Sequence, residues 1–486
     1  MPEKKILLIN PQLPEASWLN SSVAGISPPL GLAYMSAYLG QRGYKVSIID
    51  NAAEFLSLKE LVARAEVFSP SLVGITSTTT NYNTAAGIAG ALKGTMPAVP
   101  VIMGGAHASA LPEYVLENKN VDAVVRGDGE AVFYNLAEKM ISGGSLADVK
   151  GVTFRDGGGI KANPPQEVVG DLDSLPFPAY ELLPMHLYHP SLSRRLTPGR
   201  FASIVTSRGC PYACSFCSHS VFGHTHRLRS PGNVIKEVEF LKKEYGISEL
   251  LIWDDTFTAE PARAAEIAKG IKRVANIPWS CYSRTDHADD DLYKTFYECG
   301  LREMLFGAES GSNEILRNAN KGITIEDTRK AVSLAKKNGI SAFCSVILGL
   351  PGDTRETIKE TIDFFTRVDP DYAAFCVLIP FPGAPLFDKA VKDGLLDIKK
   401  TDWESYVTIF SSKPPPCSMC EVPVEELTAL QKYAFRKFLF RVGYVAGRVG
   451  KALKDGPFRL IAFIRGLSTV IKHQAHRHMA GMGARR

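Results

Sequence analysis

The sequence predicts an α/β protein of two units: a doubly wound parallel sheet, then a partial six-stranded (β/α) barrel, with a helical tail after them. Three observations carry this. Short, fully apolar runs alternate with helix-like segments over residues 1–150, as expected of strands buried on both faces of a parallel sheet. Six further alternations fill residues 200–385, each strand ending in a small polar or glycine-rich cluster, which is where barrels of this kind carry function. A chain of 486 residues is also too long for one core. The expected boundaries are 1–150, a connector at 151–199, 200–385, and a helical, basic region at 386–486.

In the first unit, strands are predicted at Ile6–Ile9, Lys45–Asp50, Leu72–Thr76, Val99–Met103 and Asp122–Val125. Helices are predicted at Leu30–Gln41, Leu58–Phe68, Asn83–Lys93, Pro112–Asn118 and Glu130–Ser142. Ligands of such sheets bind beyond the C-terminal strand ends. Those ends read Ser77-Thr78-Thr79-Thr80, Gly104-Gly105-Ala106-His107 and Arg126-Gly127-Asp128-Gly129-Glu130. Tight strand-to-helix turns would have the same composition. No G-x-G-x-x-G follows the first strand, which argues against a dinucleotide site. Residues 151–162 read as a hairpin around Gly157-Gly158-Gly159, and the prolines from Pro164 to Pro178 as a stiff connector.

In the second unit, strands are predicted at Ala202–Ser207, Glu249–Asp254, Trp279–Arg284, Glu303–Glu309, Ala342–Leu348 and Ala373–Phe381. Directly after the first comes Cys210-Pro211-Tyr212-Ala213-Cys214-Ser215-Phe216-Cys217, a C-x3-C-x2-C pattern. Three thiolates so spaced can hold three corners of an iron–sulfur cluster. The residues alone leave open three of four ligands of a structural zinc, or three buried cysteines.

The cysteine stretch resembles the cluster motif of the radical S-adenosylmethionine enzymes, with Phe216 as the aromatic residue that commonly precedes the third cysteine. That resemblance implies a 4Fe-4S cluster held by Cys210, Cys214 and Cys217, whose open iron chelates S-adenosylmethionine. The first unit resembles a cobalamin-binding domain, which implies that Ser77, Thr78, Gly104 and Gly105 contact the nucleotide tail of the cofactor. It departs from many such domains, because Asn10-Pro11-Gln12-Leu13-Pro14 after the first strand has no cobalt-ligating histidine. His107 is the one histidine in the first 170 residues, and a turn or supporting role suits it better than ligation. Residues 1–385 therefore resemble the cobalamin-binding subgroup of radical enzymes, which holds methyltransferases of unactivated carbon and the anaerobic oxidative cyclase of chlorophyll biosynthesis. The implied activity is C-methylation of a hydrophobic or biosynthetic small molecule through a 5′-deoxyadenosyl radical. The alternatives are oxidative cyclisation and, of another class, a non-catalytic cobalamin- or metal-responsive binding protein.

The remaining strand ends supply further candidates. Asp254 and Asp255 suit contact with the S-adenosylmethionine amine, or the start of a helix. Arg284 suits a carboxylate of the cosubstrate, or an ion pair within the barrel. Glu309 is divided between a cosubstrate role and pairing with a barrel cation. Gly349 and Gly352 mark a tight turn, or close approach to the adenine in the family reading.

Charge is uneven. Residues 427–486 carry 13 Lys or Arg against Asp455, a net +12, and the remainder carries a net −7. Leu460, Ile464, Leu467 and Ile471 share a helical face among basic residues, which would pack on the enzyme or lie on an anionic membrane surface. The substrate is then a small molecule, of lipid or tetrapyrrole type in the membrane case. No nucleic-acid module is visible. An external low-potential electron donor is implied. Nine scattered cysteines argue for a reducing cytoplasm rather than a disulfide framework. No signal-peptide pattern opens the chain. Cys417-x2-Cys420 is too small a donor set for a closed metal site.

Overall fold

The computed structural model describes residues 4–14, 25–191, 194–408 and 413–454. The helix expected around Leu460–Ile471 lies outside the described residues.

The strands of the first unit are β1 (Lys5–Asn10), β2 (Gly25–Ile26), β3 (Lys45–Asp50), β4 (Leu72–Thr76), β5 (Val101–Gly104), β6 (Ala123–Val125), β7 (Val152–Asp156) and β8 (Gly159–Ala162). All but β2 form one sheet, in the order β3-β1-β4-β5-β6-β7-β8. The first five positions are parallel and the last two antiparallel. Strand order reverses between β1 and β4, which puts the binding crevice of such a sheet above Asn10, Ser77 and Gly104. The 151–162 hairpin, read from sequence as connector, is thus the edge of this sheet. Its inner strand buries Val152, Thr153 and Phe154, while the outer strand β8 is exposed throughout.

A two-residue strand, β9 (His189–Pro190), pairs with β2. The barrel strands are β10 (Arg200–Ile204), β13 (Ile247–Ile252), β14 (Trp279–Ser283), β15 (Leu301–Glu309), β16 (Ser341–Leu348) and β17 (Tyr372–Val377), in that spatial order and all parallel. The intervening helices start on clear signals. Ser230 and Thr324 cap Pro231–Tyr245 and Ile325–Lys337, and Thr354 accepts from the backbone of Glu356 and Thr357. The first barrel strand stops at Ile204, short of the Ser207 expected from its apolar run. Instead β11 (Ser207–Arg208) pairs antiparallel with β12 (Arg227–Leu228). The cysteine loop therefore leaves and returns through a two-rung neck.

One layer of side chains crosses the barrel in register. Tyr282 pairs with Leu305, Leu305 with Phe343 and Phe343 with Tyr372. Trp253 stacks on Tyr282 at 5.1 Å between ring centroids. Register partners in a parallel sheet point the same way, so these residues form a floor across one face. Two residues further along, Gly307, Ser345 and Ala374 form a small-residue layer. A Cβ on Gly307 would meet the Glu309 carboxylate at 2.6 Å and Lys321 Nζ at 2.8 Å, so the small layer makes room for that pair, and Trp253 stays 41% exposed.

Among the described residues after β17, α-helices run at Pro385–Lys392, Val424–Leu439 and Val442–Lys454. Trp403 and Tyr406 are buried in the core of the first unit, and the Trp403 indole donates to the Tyr114 hydroxyl at 2.9 Å. The helix Val424–Leu439 packs Phe435 and Phe438 against Phe375 of the barrel. Lys437 pairs with Asp363, and Arg441 with Asp369 at 2.9 Å. The start of the basic tail thus lies on the barrel, its charge partly met by barrel acids. Among the described residues, no helix is long and apolar enough to cross a membrane.

Candidate active site

The strand ends of the barrel bring the cysteine loop, Asp255, Glu309 and a lysine that the sequence did not single out into one neighbourhood. Gly209 opens the loop with φ +82°, and a Cβ there would lie 2.3 Å from the Thr225 carbonyl oxygen. Only glycine fits this turn. Cys214 is buried, Cys210 half-buried and Cys217 open to solvent. Although Cys217 is exposed as a residue, the protein packed around its thiol pushes it up to about 12, with Cys214, Glu309 and Cys210 adding to the rise and Lys321 opposing it. Cys210 is also raised, by burial first, with Asp255 and Cys214 adding to it. The three thiols therefore sense one another. Among the described residues, no three His, Cys, Asp or Glu side chains converge on a single ion. A cubane makes a different demand, since each thiolate binds its own iron. Three soft donors on one loop in this spacing fit such a cluster.

Asp254 is not available to a ligand. It is 1% exposed, and its Oδ1 accepts from the backbone N–H of Thr206 at 2.6 Å and of Ser207 at 3.1 Å. Its Oδ2 accepts from the Thr206 hydroxyl. Asp254 thereby ends β10 and turns the chain into the neck of the loop. Asp255 is exposed, its backbone carbonyl accepts from the Thr256 hydroxyl at 2.7 Å, and its carboxylate has no hydrogen-bond partner among the described residues. Burial of its surroundings raises it, Asp254 adds to the rise, and His226 opposes it. Of the two acids, Asp255 is the one free to receive a cation.

Arg284 is likewise committed. Its Nε and Nη2 donate to Asp286 at 3.0 Å each, and Nη2 also donates to the Lys321 carbonyl at 3.0 Å. Its guanidinium lies 3.5 Å from the Tyr212 ring centroid. Arg284 thus holds the cysteine loop from below rather than offering a free fork to a carboxylate. Glu309, at φ +60°, accepts from Lys321 Nζ at 2.8 Å, with both side chains under 10% exposed. Lys321 lies 5.7 Å from the Phe216 ring centroid. Phe216 packs against the cluster of Ile315, Ala319 and Leu350, which brings the cysteine loop against the turn after β16.

That turn explains its own glycines. A Cβ on Gly349 would meet Leu427 at 2.9 Å, and one on Gly352 would meet Asn318 at 2.5 Å. Both have positive φ. The requirement comes from the turn and the C-terminal helix, and close approach of a ligand is not needed to account for it. Asp353 closes the turn by accepting from the N–H groups of Gly349 at 2.9 Å and Leu350 at 3.0 Å. Burial raises its carboxyl from 3.8 to about 6, against those hydrogen bonds. A raised acid binds its proton more tightly when folded, so its contribution to stability falls as pH rises from about 4 through about 6. The shift corresponds to about 3 kcal/mol at most. Asp353→Asn keeps an acceptor and removes the charge. It is expected to raise the melting temperature relative to the parent at pH 8 and to lose that advantage near pH 4, as thermal denaturation at the two values would show.

In the first unit, Ser77 is fully buried, and its hydroxyl donates to the Gly104 carbonyl at 3.2 Å. A Cβ on Gly105, at φ +91°, would lie 2.7 Å from the Ser77 carbonyl oxygen. Ser77 and Gly105 therefore zip the ends of β4 and β5 together. Thr78 is exposed at the crevice, its hydroxyl 3.0 Å from that of Thr80. A Cβ on Gly104 would make ordinary contact with Val125, 3.5 Å from its carbonyl oxygen, so that half-buried position is not tightly packed. This exposed hydroxyl and loosely packed glycine at the switch point suit a large polar cofactor tail. His107 is fully buried, between Tyr82 at 4.4 Å and Trp403 at 4.7 Å. Burial lowers it to about 3. It is a neutral part of the wall, in line with a supporting role.

A family model for the Radical SAM superfamily matches residues 204–365, and one for the B12 binding domain matches residues 17–137. The chain is 36% identical over 440 residues to an uncharacterized methyltransferase of Pyrococcus horikoshii, covering 90% of this chain and 93% of that protein. It is 30% identical over 395 residues to the anaerobic magnesium-protoporphyrin IX monomethyl ester cyclase of Rubrivivax gelatinosus, covering 79% and 70%. The fold is similar to that of the radical S-adenosylmethionine methyltransferase TsrM from Kitasatospora setae, solved with cobalamin and a 4Fe-4S cluster. The TM-score is 0.66 at 22% identity, over 80% of this chain and 75% of that one. Fold and site thus define a radical S-adenosylmethionine barrel joined to a B12-binding domain. The chain belongs to the cobalamin-binding radical S-adenosylmethionine family, and it is an enzyme whose cofactors are a 4Fe-4S cluster, S-adenosylmethionine and cobalamin.

Proposed function

We propose that this enzyme is a C-methyltransferase acting on an unactivated carbon of a small molecule with substantial apolar surface. The observation that carries the reading is the arrangement of the site: one cysteine loop at the mouth of a barrel whose neighbouring domain offers an open strand-end crevice. When bound, the cofactors supply a carbon-centred radical and a transferable methyl group. Cys210, Cys214 and Cys217 hold the three irons. Asp255 receives the cosubstrate ammonium, and Phe216 lines the cosubstrate from the loop side. Thr78 and Gly104 meet the cobalamin tail, while Ser77 and Gly105 keep that crevice in shape. Trp253, exposed at its strand end and stacked on Tyr282, offers an aromatic surface to an apolar substrate.

The likeness to the cyclase supports a second reading, oxidative ring closure without methyl transfer. S-adenosylmethionine labelled in its methyl group separates the two. Label recovered in a carbon-methylated product supports the methyltransferase. Turnover to an unlabelled, oxidised product would sink it in favour of the cyclase.

A further inference from the structure

We propose that a buried charge cluster, made by Arg208 and Arg227 with Asp128 and Glu130, is a clamp that fixes the iron–sulfur cluster against the cobalamin. Arg208 and Arg227 face each other across the two-rung neck, one on the strand entering the cysteine loop and one on the strand leaving it. Both reach out of the barrel to the N-terminus of the helix Gly129–Ser142 of the B12-binding domain, where Asp128 is the N-cap and Glu130 lies in the first turn. Arg208 Nη2 donates to Glu130 Oε1 at 2.7 Å, and Nη1 donates to Glu130 Oε2 and Asp128 Oδ1 at 3.2 Å each. Arg227 Nη1 donates to Asp128 Oδ2 and, at 2.9 Å, to the Val169 carbonyl of the connector. All four side chains are 4–6% exposed. The Arg208 guanidinium lies 5.1 Å from the ring of Tyr34, in the first helix of the B12-binding domain, and 5.4 Å from that of Phe222, in the loop.

Two details mark this as more than a chance ion pair. Asp128 is the N-cap of its helix, yet its side chain makes no capping bond. That forgoes a local contact usually favoured there, and the carboxylate goes to the arginines instead. The charges also balance, two cations against two anions, so none is left buried and unpaired, the state that is most costly. The geometry is bidentate at Arg208, which restricts orientation as well as distance. Cys210 lies two residues beyond Arg208. The β6 turn lies in the sheet that carries Gly104 on its neighbouring strand. A shift of the clamp therefore moves the cluster relative to the cobalt. The four residues are positioning residues, since none needs to touch a reacting atom.

The proposal rests on both cofactors binding and does not depend on whether the reaction is methyl transfer or cyclisation. Its test reads neither. Holoenzyme carrying the reduced cluster and cob(II)alamin is compared with the Glu130→Gln and Arg208→Lys variants, after iron and cobalamin contents are measured. The first readout is the enhancement of cobalt electron-spin relaxation by the nearby cluster. The second is hydrogen exchange of residues 126–130, 207–209 and 226–228. Expected are full loading of both cofactors, a loss of relaxation enhancement and exchange on the order of 100-fold faster in all three segments together. Unchanged relaxation in loaded variants would overturn the proposal, as would faster exchange confined to one side of the clamp. If Glu130→Gln does not fold, Arg208→Lys carries the comparison, because it keeps the charge and removes only the bidentate geometry. Should both lack folded protein, exchange in the parent holoenzyme decides. Opening of the three segments as one unit supports the clamp, and independent opening refutes it.

Discussion

Replacing Cys214 by alanine is expected to remove the broad visible absorption of the iron–sulfur cluster after anaerobic reconstitution and to bring S-adenosylmethionine cleavage down to background. Cys214 is the buried member of the three, and the backbone N–H of Cys217 donates to its carbonyl at 3.1 Å, so it is the hinge of the ligand loop. Losing it leaves two thiols, too few to anchor a cubane that already has one open iron. The cysteine count makes the control informative. Cys420→Ala removes a thiol whose hydrogen-bond contacts are with Ser418 and Val422, outside the C-x3-C-x2-C loop, and is expected to leave cluster absorption and cleavage intact. Equal losses in both variants would mean that ligation is not confined to the C-x3-C-x2-C loop.

Lys321→Met is expected to destabilise the protein by about 3–5 kcal/mol, because it leaves Glu309 buried without its cation. The Lys321 side chain is 9% exposed and that of Glu309 is 7%, so water cannot replace the lost partner. Burial alone would lower the lysine, yet Glu309 raises it, with Cys214 contributing in the same direction. The double variant Lys321→Met with Glu309→Gln is expected to regain much of the loss, since it removes both charges together. Denaturant titration of the parent, both single variants and the double variant closes the cycle. A Lys321→Met variant as stable as the parent would contradict the buried pair.

The framework was legible because strands of parallel sheets are apolar on both faces, and runs such as Leu72–Thr76 and Ser341–Leu348 announce themselves without partners. The hairpin around Gly157-Gly158-Gly159 is present as read, but its place at the edge of the first sheet was not legible, because only β7 is buried and the outer strand β8 is exposed throughout. The neck of the cysteine loop is two residues per strand, too short for any periodicity. At the site, the C-x3-C-x2-C spacing named its own chemistry. The neighbouring acids did not, because Asp254 and Asp255 are equivalent as letters, and they differ only in that Asp254 faces the Thr206 and Ser207 amides. For Arg284 and Gly349 the sequence leaves ligand contact and a scaffold role both open, because their fold partners, Asp286, Tyr212 and Leu427, are not marked by any motif. Lys321 and the Asp128–Arg208 contact went unread, as their partners lie 12 and 80 residues away with no motif to join them.

The central claim is that one chain carries both cofactors at facing sites. Anaerobic reconstitution with iron, sulfide and hydroxocobalamin, followed by desalting, tests it most directly. The account predicts that a 4Fe-4S cluster and cobalamin are retained together by a single chain, and that adding a low-potential reductant with S-adenosylmethionine yields 5′-deoxyadenosine. Retention of the cluster with cobalamin lost on desalting, or retention of both without any cleavage of S-adenosylmethionine, would contradict it.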